Sequence, residues 1–305
     1  MLNTKSTDTR VKATFQAAEP EAVGLSVVIP AYNEEMAIVQ TITAVNDALS
    51  QLPTSYDIVV VDDGSTDSTA ERAESTGARV IRCEDNGGYG SALKRGIAAG
   101  NSEFIAIIDA DGTYPAADLL AMFETAQHAD MVVGARNANM SNVPFIRRPA
   151  KFILNGLANY LAQRKIPDLN SGLRVFRREV LARFIPLLPM GFSFTTTITL
   201  CMICSGLRVV YVPIEYGRRI GNSKIRFTDF FNFILLVVRA IVLFNPLRVF
   251  LPLGFALFTL GVVKLVYDIY VGDLSESAVL GILAAIIIWS FGLIADMLAR
   301  LHLRP

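Results

Sequence analysis

The sequence predicts an α/β domain built on a mostly parallel sheet and followed by an apolar C-terminal tail. Two observations lead to this fold class. From residue 25 onward, short runs rich in Val and Ile alternate with longer stretches suited to helices, as in a parallel sheet covered on both faces. The chain carries 28 Lys plus Arg and 28 Asp plus Glu, of which only ten lie in 229–305. A polar globular part therefore precedes a segment suited to a membrane.

The elements of the globular part are predicted in chain order. After a polar tail at 1–22, strands are predicted over 25–30, 57–63, 78–83, 104–111 and 129–135. Helices are predicted between them, over 35–50, 67–76, 89–100 and 115–127. A helix at 147–163 follows, and then strands over 173–179 and 207–216 around an apolar helix near 193–204. In such sheets ligands bind beyond the carboxyl ends of the strands.

The tail contains one short and two long apolar segments. Residues 230–244 are too short and too interrupted to span a bilayer comfortably, so an interfacial helix is predicted at 229–246. Residues 249–271 and 278–299 are each long enough to cross a hydrocarbon core of about 30 Å. A soluble domain with two buried core helices is the alternative interpretation.

The distribution of charge predicts the orientation of this hairpin. Its connection GDLSES contains no Lys or Arg, whereas Arg248, Arg300 and Arg304 lie at the opposite ends of the two spans. The positive-inside rule then predicts that both ends face the cytosol, together with the globular domain. The N-terminus shows no signal peptide, which agrees with this orientation. A net charge of zero suggests no nucleic-acid partner.

The most informative chemical motif is Asp109-Ala110-Asp111 at the end of the fourth predicted strand. Two carboxylates one residue apart, where a strand passes into a loop, can approach one metal ion. Such hard oxygen ligands suit Mg²⁺ or Mn²⁺, which usually keep water ligands and bind substrate phosphates. A DxD triplet alone has low specificity, and chance or helix capping explains many of them. Its place after an apolar strand strengthens the prediction of a metal site.

Three other loops are predicted to meet this motif at the same edge of the sheet. IPAYNEE (29–35) places Pro30, Tyr32 and Glu34 after the first strand, and VDDGSTD (61–67) places Asp62 and Asp63 after the second. A carboxylate here can accept hydrogen bonds from a base or a ribose, although DGS is also ordinary turn chemistry. The glycine-rich NGGYGSA (86–92) opens a helix, where a phosphate or sugar could approach the backbone.

These motifs resemble those of the family 2 glycosyltransferases of the GT-A fold. The resemblance covers roughly 24–228 and rests on IPAYNEE, VDDGSTD, IDADG, VVGAR, NSGLRVFRRE and YGRRIGNSKIR in this order. With the two-span tail, it points to the polyprenyl-phosphate glycosyltransferases, which include the dolichyl-phosphate mannose and glucose synthases and bacterial relatives. The QxxRW motif of the processive synthases is missing from this chain, whose one tryptophan, Trp289, lies in a predicted span. The implied organisation is a GT-A domain at 23–228, the interfacial helix and a transmembrane hairpin at 247–305.

The resemblance also implies roles for the residues that bind the donor. Those that hold the nucleotide are Pro30, Tyr32, Glu34 and Asp63, with Asp62 beside them. Those that line the diphosphate and metal are Asp109, Ala110 and Asp111, with Asp111 as the direct ligand. Relatives often carry Gln where this chain has Thr113, so Thr113 or water is the further metal ligand. Arg219 matches a position that clamps the donor diphosphate, with Lys224 nearby.

For the acceptor phosphate, the resemblance implies Arg136 and a basic residue at the start of the 147–163 helix, which is Arg147, Arg148 or Lys151. The implied reaction transfers a hexose from a UDP- or GDP-sugar to a polyprenyl phosphate with inversion, with Mg²⁺ or Mn²⁺ and with Asp109, Asp111 and Arg219 as the catalytic residues. Two alternatives stay open at this point. One is a family 2 transferase that extends a glycan or lipid-linked oligosaccharide, and the other is a non-catalytic membrane subunit with the same fold. Assembly into a homo-oligomer is also compatible with the two-span tail.

Overall fold

The structure is a computed structural model that describes residues 24–136, 156, 159–160, 163, 165–191, 193–217, 246–272 and 275–302. The predicted tail at 1–22, most of the predicted helix at 147–163 and the predicted interfacial helix at 229–246, apart from residue 246, lie outside the described residues.

One mixed sheet forms the centre of the globular part. In the described part of the chain it has seven strands in the order β3-β2-β1-β4-β6-β5-β7. The strands are β1 Leu25–Ala31, β2 Tyr56–Asp62, β3 Arg79–Arg82, β4 Phe104–Ile107, β5 Met131–Arg136, β6 Arg174–Arg177 and β7 Val209–Ile214. Only β6 is antiparallel to its neighbours, β4 and β5. The mostly parallel α/β sheet predicted from the sequence is confirmed.

Helices cover both faces of this sheet. They are α1 Ile38–Leu49, α2 Thr69–Glu74, α3 Tyr89–Ala99, α4 Leu119–Ala126, α5 Arg178–Phe184 and α6 Phe194–Cys204. Each face has its own hydrophobic core, because successive residues of a strand point to opposite sides. Val28 and Val61 lie in one core, whereas Val27 and Val60 lie in the other. This two-sided burial explains the nearly continuous apolar runs of β1 and β2.

Two predicted strands end earlier in the structure, and the first of these differences affects the site. The strand predicted over 104–111 ends at Ile107, the last residue of β4 that pairs with β6. Its remaining residues therefore form a loop that carries Asp109 and Asp111. The strand predicted over 173–179 ends at Arg177, and α5 begins at the next residue.

Two long apolar helices follow, α7 Leu247–Val271 and α8 Glu276–His302, and both are long and apolar enough to cross a membrane. The predicted pair of C-terminal apolar helices is confirmed. The helices approach closely at Gly254, where an added Cβ would lie 2.3 Å from Nε1 of Trp289. Near the connection, Lys264 forms an ion pair with Asp268, which also accepts hydrogen bonds from the backbone and hydroxyl of Ser275.

The first of these helices is attached to the globular domain at its N-terminal turn. Val249 packs against the core that contains Phe176. The guanidinium of Arg248 donates to the carbonyl of Tyr160 at 3.2 Å, and the phenol of Tyr160 donates to the carbonyl of Arg248 at 3.5 Å. The first apolar helix therefore begins in direct contact with the globular domain.

Candidate active site

The carboxyl ends of β1, β2 and β4 bring the predicted motifs to one edge of the sheet. These strands are adjacent and parallel, with β1 between the other two. The loop after β4 leaves the sheet at Ile108, and its Ala110 carbonyl accepts a hydrogen bond from Thr41 of α1 at 3.1 Å. This contact fixes Ala110, which is buried, between the two acidic residues. The sequence predicted this meeting of strand ends correctly.

Asp111 is buried and has a fixed orientation. Its Oδ1 accepts hydrogen bonds from the backbone N–H of Thr113 at 3.1 Å and from the Thr113 hydroxyl at 2.6 Å. Thr113 is itself only 1% exposed, so these buried hydrogen bonds fix the orientation of the Asp111 carboxylate. The roles of Asp111 and Thr113 as metal ligands stay predictions.

Asp109 is held by two neighbours that the sequence did not suggest. The phenol of Tyr89, at the start of α3, donates to Asp109 Oδ1 at 2.8 Å. On the other side lies the backbone of Gly172, so close that a Cβ added there would be 2.2 Å from Asp109 Oδ2. Burial raises the pKa of Tyr89 well above its ordinary value, and the negative charge of Asp109 adds to this effect. Tyr89 therefore keeps its proton and acts as a hydrogen-bond donor.

A second tyrosine contacts the backbone of Gly172 beside Asp109. Tyr114, which is 7% exposed, accepts the backbone N–H of Gly172 at its phenol oxygen at 2.7 Å. Its ring packs edge-on against Tyr216, with centroids 5.1 Å apart. Burial, followed by the charge of Asp109, raises the pKa of Tyr114 above its ordinary value. The two tyrosines thus enclose Asp109 and Gly172.

Asp63 connects the second strand to the glycine-rich loop. Its Oδ1 accepts from the N–H of Gly87 at 3.0 Å, and its Oδ2 accepts from Gly88 at 2.7 Å. Gly88 has a φ of 92°, which favours glycine. Asp62, also buried, accepts the N–H of Ser65 at 3.4 Å. Asp63 therefore orders the loop that opens α3, and its predicted contact with a nucleotide stays a prediction.

The loops after β1 and β2 are joined to each other by hydrogen bonds. Asn33 Oδ1 accepts from the N–H of Thr66 at 2.8 Å, while the N–H of Glu34 donates to Thr69 Oγ1 at 2.9 Å. Asn33 adopts the left-handed conformation, with a φ of 53°. Tyr32 lies partly exposed beside it at the end of β1. The two motifs thus form one surface, as the sequence predicted from their strand ends.

Arg136, at the end of β5, forms a bidentate ion pair with Asp168. Its Nε lies 2.7 Å from Oδ2 and its Nη2 lies 2.9 Å from Oδ1. The guanidinium carbon also lies 5.3 Å from the centre of the Tyr216 ring. Burial raises the pKa of Asp168, but the hydrogen bonds from Arg136 outweigh it and hold this pKa below its ordinary value. Arg136 is therefore aligned by an internal partner, and its contact with an acceptor phosphate stays a prediction.

Arg174 is a cation that is fully buried beneath this site. Its Nε donates to the carbonyl of Ser171 at 2.8 Å and its Nη2 to the carbonyl of Leu169 at 3.0 Å. Its Nη1 donates to Thr199 Oγ1 at 2.6 Å and contacts the sulfur of Met131 at 3.5 Å. Burial lowers the pKa of Arg174 from its ordinary value.

Five predicted site residues lie outside the described residues, namely Arg147, Arg148, Lys151, Arg219 and Lys224. Tyr89, Asp168, Gly172 and Arg174 are site residues that were not predicted from the sequence. The motif NSGLRVFRRE contains two of them, and the glycine-rich NGGYGSA contains Tyr89. Buried polar residues beside glycines in these motifs were the available signal, but their partners lie far away in the sequence.

The oxygen groups at this edge fit a hard divalent cation. Asp111 and Asp109 provide carboxylates, and no group of three or more His, Cys, Asp or Glu that could hold a metal occurs among the residues that the structure describes. A cation here would therefore complete its coordination with water and with oxygens of a bound phosphate, as Mg²⁺ commonly does.

Comparison with known families gives two matches in separate parts of the chain. Residues 26–184 match the family described as "Glycosyl transferase family 2", which is more than half of the chain. Residues 245–301 match the family described as "GtrB C-terminal hairpin". The second match coincides with α7 and α8.

Three individual proteins illustrate these similarities. The undecaprenyl-phosphate 4-deoxy-4-formamido-L-arabinose transferase of Photorhabdus laumondii is 30% identical over 68% of this chain and 65% of its own length. The dolichol-phosphate mannosyltransferase of Pyrococcus furiosus is 31% identical over 70% of this chain and 63% of its own length. The chain thus spans slightly less than two thirds of these two relatives.

The third is the glucosyl-3-phosphoglycerate synthase of Mycobacterium tuberculosis, solved with Mn²⁺, uridine-diphosphate-glucose and phosphoglyceric acid. It is 25% identical, with a TM-score of 0.54, over 72% of this chain and 79% of its own chain. The similarity agrees with a GT-A-like fold for the globular part.

Proposed function

We propose, given that this chain belongs to glycosyl transferase family 2, that it transfers a sugar from a nucleotide-sugar to a polyprenyl phosphate at a membrane surface. One observation carries this proposal: two acidic residues meet the ends of β1 and β2, in a domain that contacts the first of two long apolar helices. The relatives from Photorhabdus and Pyrococcus are named for undecaprenyl phosphate and dolichol phosphate, which supports this class of acceptor.

The acceptor phosphate is the nucleophile in the proposed reaction. Its second pKa is about 6, so it is largely ionised at neutral pH and needs no general base from the protein. One of its oxygens forms a bond to the anomeric carbon while the bond from this carbon to the donor diphosphate breaks, with inversion. Arg136 would orient the phosphate, because the ion pair with Asp168 fixes the plane of its guanidinium.

The negative charge that develops on the departing nucleoside diphosphate is the main electrostatic problem of this reaction. A divalent cation, when bound, supplies Lewis-acid stabilisation of this charge. Asp111, with Asp109 beside it, would hold this cation, and the hydrogen bonds from Thr113 and Tyr89 orient the two carboxylates in advance. Arg219 and Lys224 are proposed to bind the same diphosphate.

The donor is proposed to be a UDP- or GDP-linked hexose, with its nucleotide against Pro30, Tyr32, Glu34, Asp62 and Asp63. The neighbouring structure that contains uridine-diphosphate-glucose and Mn²⁺ supports a nucleotide-sugar and a divalent metal. The sugar of this bound donor is glucose, whereas the two relatives are named for a substituted arabinose and mannose. A transfer assay with several nucleotide-sugars and with Mg²⁺ or Mn²⁺ decides the sugar and the metal.

The proposed arrangement in the membrane has four parts. These are the tail at 1–22, the GT-A domain at 23–228, the interfacial helix at 229–246 and the hairpin at 247–305. Basic residues at the ends of the hairpin, and none in its connection, support a cytosolic catalytic domain. The acceptor phosphate would then emerge from the bilayer on the side of the active site.

The test is a transfer assay with the full chain purified in detergent. Radiolabelled UDP-glucose, GDP-mannose and other nucleotide-sugars are each incubated with undecaprenyl phosphate and with Mg²⁺ or Mn²⁺. We expect a lipid-linked monosaccharide whose anomeric configuration is opposite to that of the donor, and we expect EDTA to abolish its formation. Undecaprenol, which has the same chain without the phosphate, is the matched control and should accept no sugar.

Two results would contradict the proposal. Transfer to a lipid-linked oligosaccharide but not to undecaprenyl phosphate would indicate a transferase that extends glycans. Absence of both transfer and nucleotide-sugar binding in the presence of Mn²⁺ would indicate a non-catalytic subunit.

A further inference from the structure

The fully buried guanidinium of Arg174 needs a physical explanation. Placing a cation in the protein interior is costly unless it is paired or well hydrogen-bonded. Among the residues that the structure describes, no carboxylate forms an ion pair with Arg174, and its acceptors are two carbonyls, a hydroxyl and a sulfur. An apolar side chain would fill the space at a lower cost, so packing alone does not account for an arginine here.

The two carbonyls bound by Arg174 belong to one short loop, residues 168–172. Nε and Nη2 are the adjacent donors of the guanidinium fork, and they bind the carbonyls of Ser171 and Leu169. A planar fork with two donors fixes the distance and direction of two acceptors at once, whereas the ammonium of a lysine acts as a point charge. Arg174 thus holds the 168–172 loop in a defined conformation.

This loop contacts both halves of the candidate site. At one end, the carboxylate of Asp168 binds the guanidinium of Arg136. At the other end, the backbone of Gly172 abuts the carboxylate of Asp109 and donates to the phenol of Tyr114. The conformation of the 168–172 loop therefore sets the spacing between Asp109 and Arg136.

We infer that Arg174 is a positioning residue for transfer, which holds the 168–172 loop so that Asp109 on the donor side and Arg136 on the acceptor side stay in register. The inference rests on the proposed function for the assignment of the two sides. Arg174 acts through the loop and touches no substrate. Its buried positive charge also adds a favourable potential to a site that gathers the negative charges of a diphosphate and a phosphate.

The test compares Arg174→Lys with a matched control on the same strand, Arg177→Lys. Arg177 forms a partly exposed ion pair with Glu103 at 2.8 Å, and in the described structure it forms no hydrogen bond or ion pair with the 168–172 loop. Three quantities are measured: amide hydrogen exchange of the peptide that covers 166–173, Mn²⁺ binding in the presence of UDP by the electron paramagnetic resonance of free Mn²⁺, and the steady-state constants for donor and acceptor.

For Arg174→Lys we expect faster amide exchange in this peptide and weaker Mn²⁺ binding. We also expect a rise in the acceptor KM and a kcat lowered by about tenfold to 100-fold, since small misplacements of reacting groups have effects of this size. Affinity for UDP without metal should stay unchanged, because Asp62 and Asp63 lie on β2 and its loop, outside the 168–172 loop. Arg177→Lys should resemble the wild type in all of these. A general loss of structure would instead lower metal-free UDP affinity in proportion to kcat, and that result would overturn the inference, as would unchanged exchange and kinetics.

A second variant applies if Arg174→Lys fails to fold. Thr199→Val keeps the guanidinium and removes one of its acceptors. We expect faster exchange in 166–173 in this variant too, and unchanged exchange would refute the inference. Exchange and Mn²⁺ binding need no acceptor, so they decide the role of Arg174 even if the wild-type protein transfers nothing to undecaprenyl phosphate, a result that would count against the proposed function alone.

Discussion

Replacing Gly172 with alanine should displace the Asp109 carboxylate while leaving the fold intact. The added Cβ would lie 2.2 Å from Oδ2, 2.6 Å from Cγ and 2.7 Å from Oδ1 of Asp109. Carbon and oxygen atoms in close contact are usually about 3.3–3.6 Å apart, so the carboxylate has to move by about 1 Å. Because the three clashing atoms belong to one side chain, this movement is easier than a shift of the backbone.

The size of the effect follows from this displacement. A misplacement of about 1 Å at a reacting centre costs about 100-fold in rate, which corresponds to about 2.7 kcal/mol of transition-state stabilisation. The movement also breaks the hydrogen bond from Tyr89 to Asp109, which is worth about 1.5–3 kcal/mol because the acceptor is charged. Since the free energy of unfolding of globular domains is about 5–15 kcal/mol, the variant should remain folded.

The assay measures kcat for sugar transfer, the Mn²⁺ concentration at half-maximal activity and the thermal unfolding temperature. For Gly172→Ala we expect a kcat lower by about 100-fold and a higher half-saturating Mn²⁺ concentration, with a moderate fall in unfolding temperature. Gly191→Ala is the matched control, because an added Cβ there meets no atom within 4 Å. Wild-type kcat and Mn²⁺ dependence in Gly172→Ala would refute the reasoning, and so would global unfolding of this variant.

Three further predictions test other parts of the molecule. Asp111→Asn should abolish transfer while the protein still inserts into membranes, as checked by alkaline extraction; full activity would refute the metal site. Arg136→Met should raise the acceptor KM more than the donor KM, and a change in the donor KM alone would contradict the acceptor assignment. The same variant leaves Asp168 buried without its cation. In the wild type the lowered pKa of Asp168 contributes stability that is present above its unfolded value of 3.8 and is lost as the pH falls through the lowered pKa. The variant lacks this contribution, so thermal unfolding scans should show it less stable than the wild type at neutral pH, with a difference that shrinks as the pH falls below 3.8. Gly254→Leu should separate the two apolar helices at Trp289 and lower the unfolding temperature in detergent, with nucleotide binding unchanged in calorimetry.

The fold and the location of the site could be predicted because both follow from local patterns. Runs of Val and Ile locate the strands, and parallel strands bring their carboxyl ends to one edge. Asp109, Asp111 and Asp63 were therefore predicted to lie near one another, and the structure places them in loops at this edge.

The contacts within the site could not be predicted, because they join residues that are distant in sequence. Tyr89 reaches Asp109 only because α3 begins beside the loop after β4, and Gly172 reaches it only because β6 is antiparallel to β4. The direction of β6 is not visible in a period-two pattern of apolar residues. The family resemblance predicts that Arg136 binds a phosphate, and nothing local indicates that it also forms an ion pair with Asp168, 32 residues later.

The contact between Arg248 and Tyr160, with Val249 packed against the domain core, has a mechanical consequence for the hairpin. In the proposed membrane arrangement, a flexible tether would let the catalytic domain rotate and drift above the bilayer, whereas a helix that packs on the core through its first turn would act as a rigid stem. In that arrangement the stem would set the height and tilt of the sheet edge over the lipid surface. An unrelated membrane anchor in its place would keep the protein at the bilayer but would not fix the orientation of the active site relative to the lipid surface.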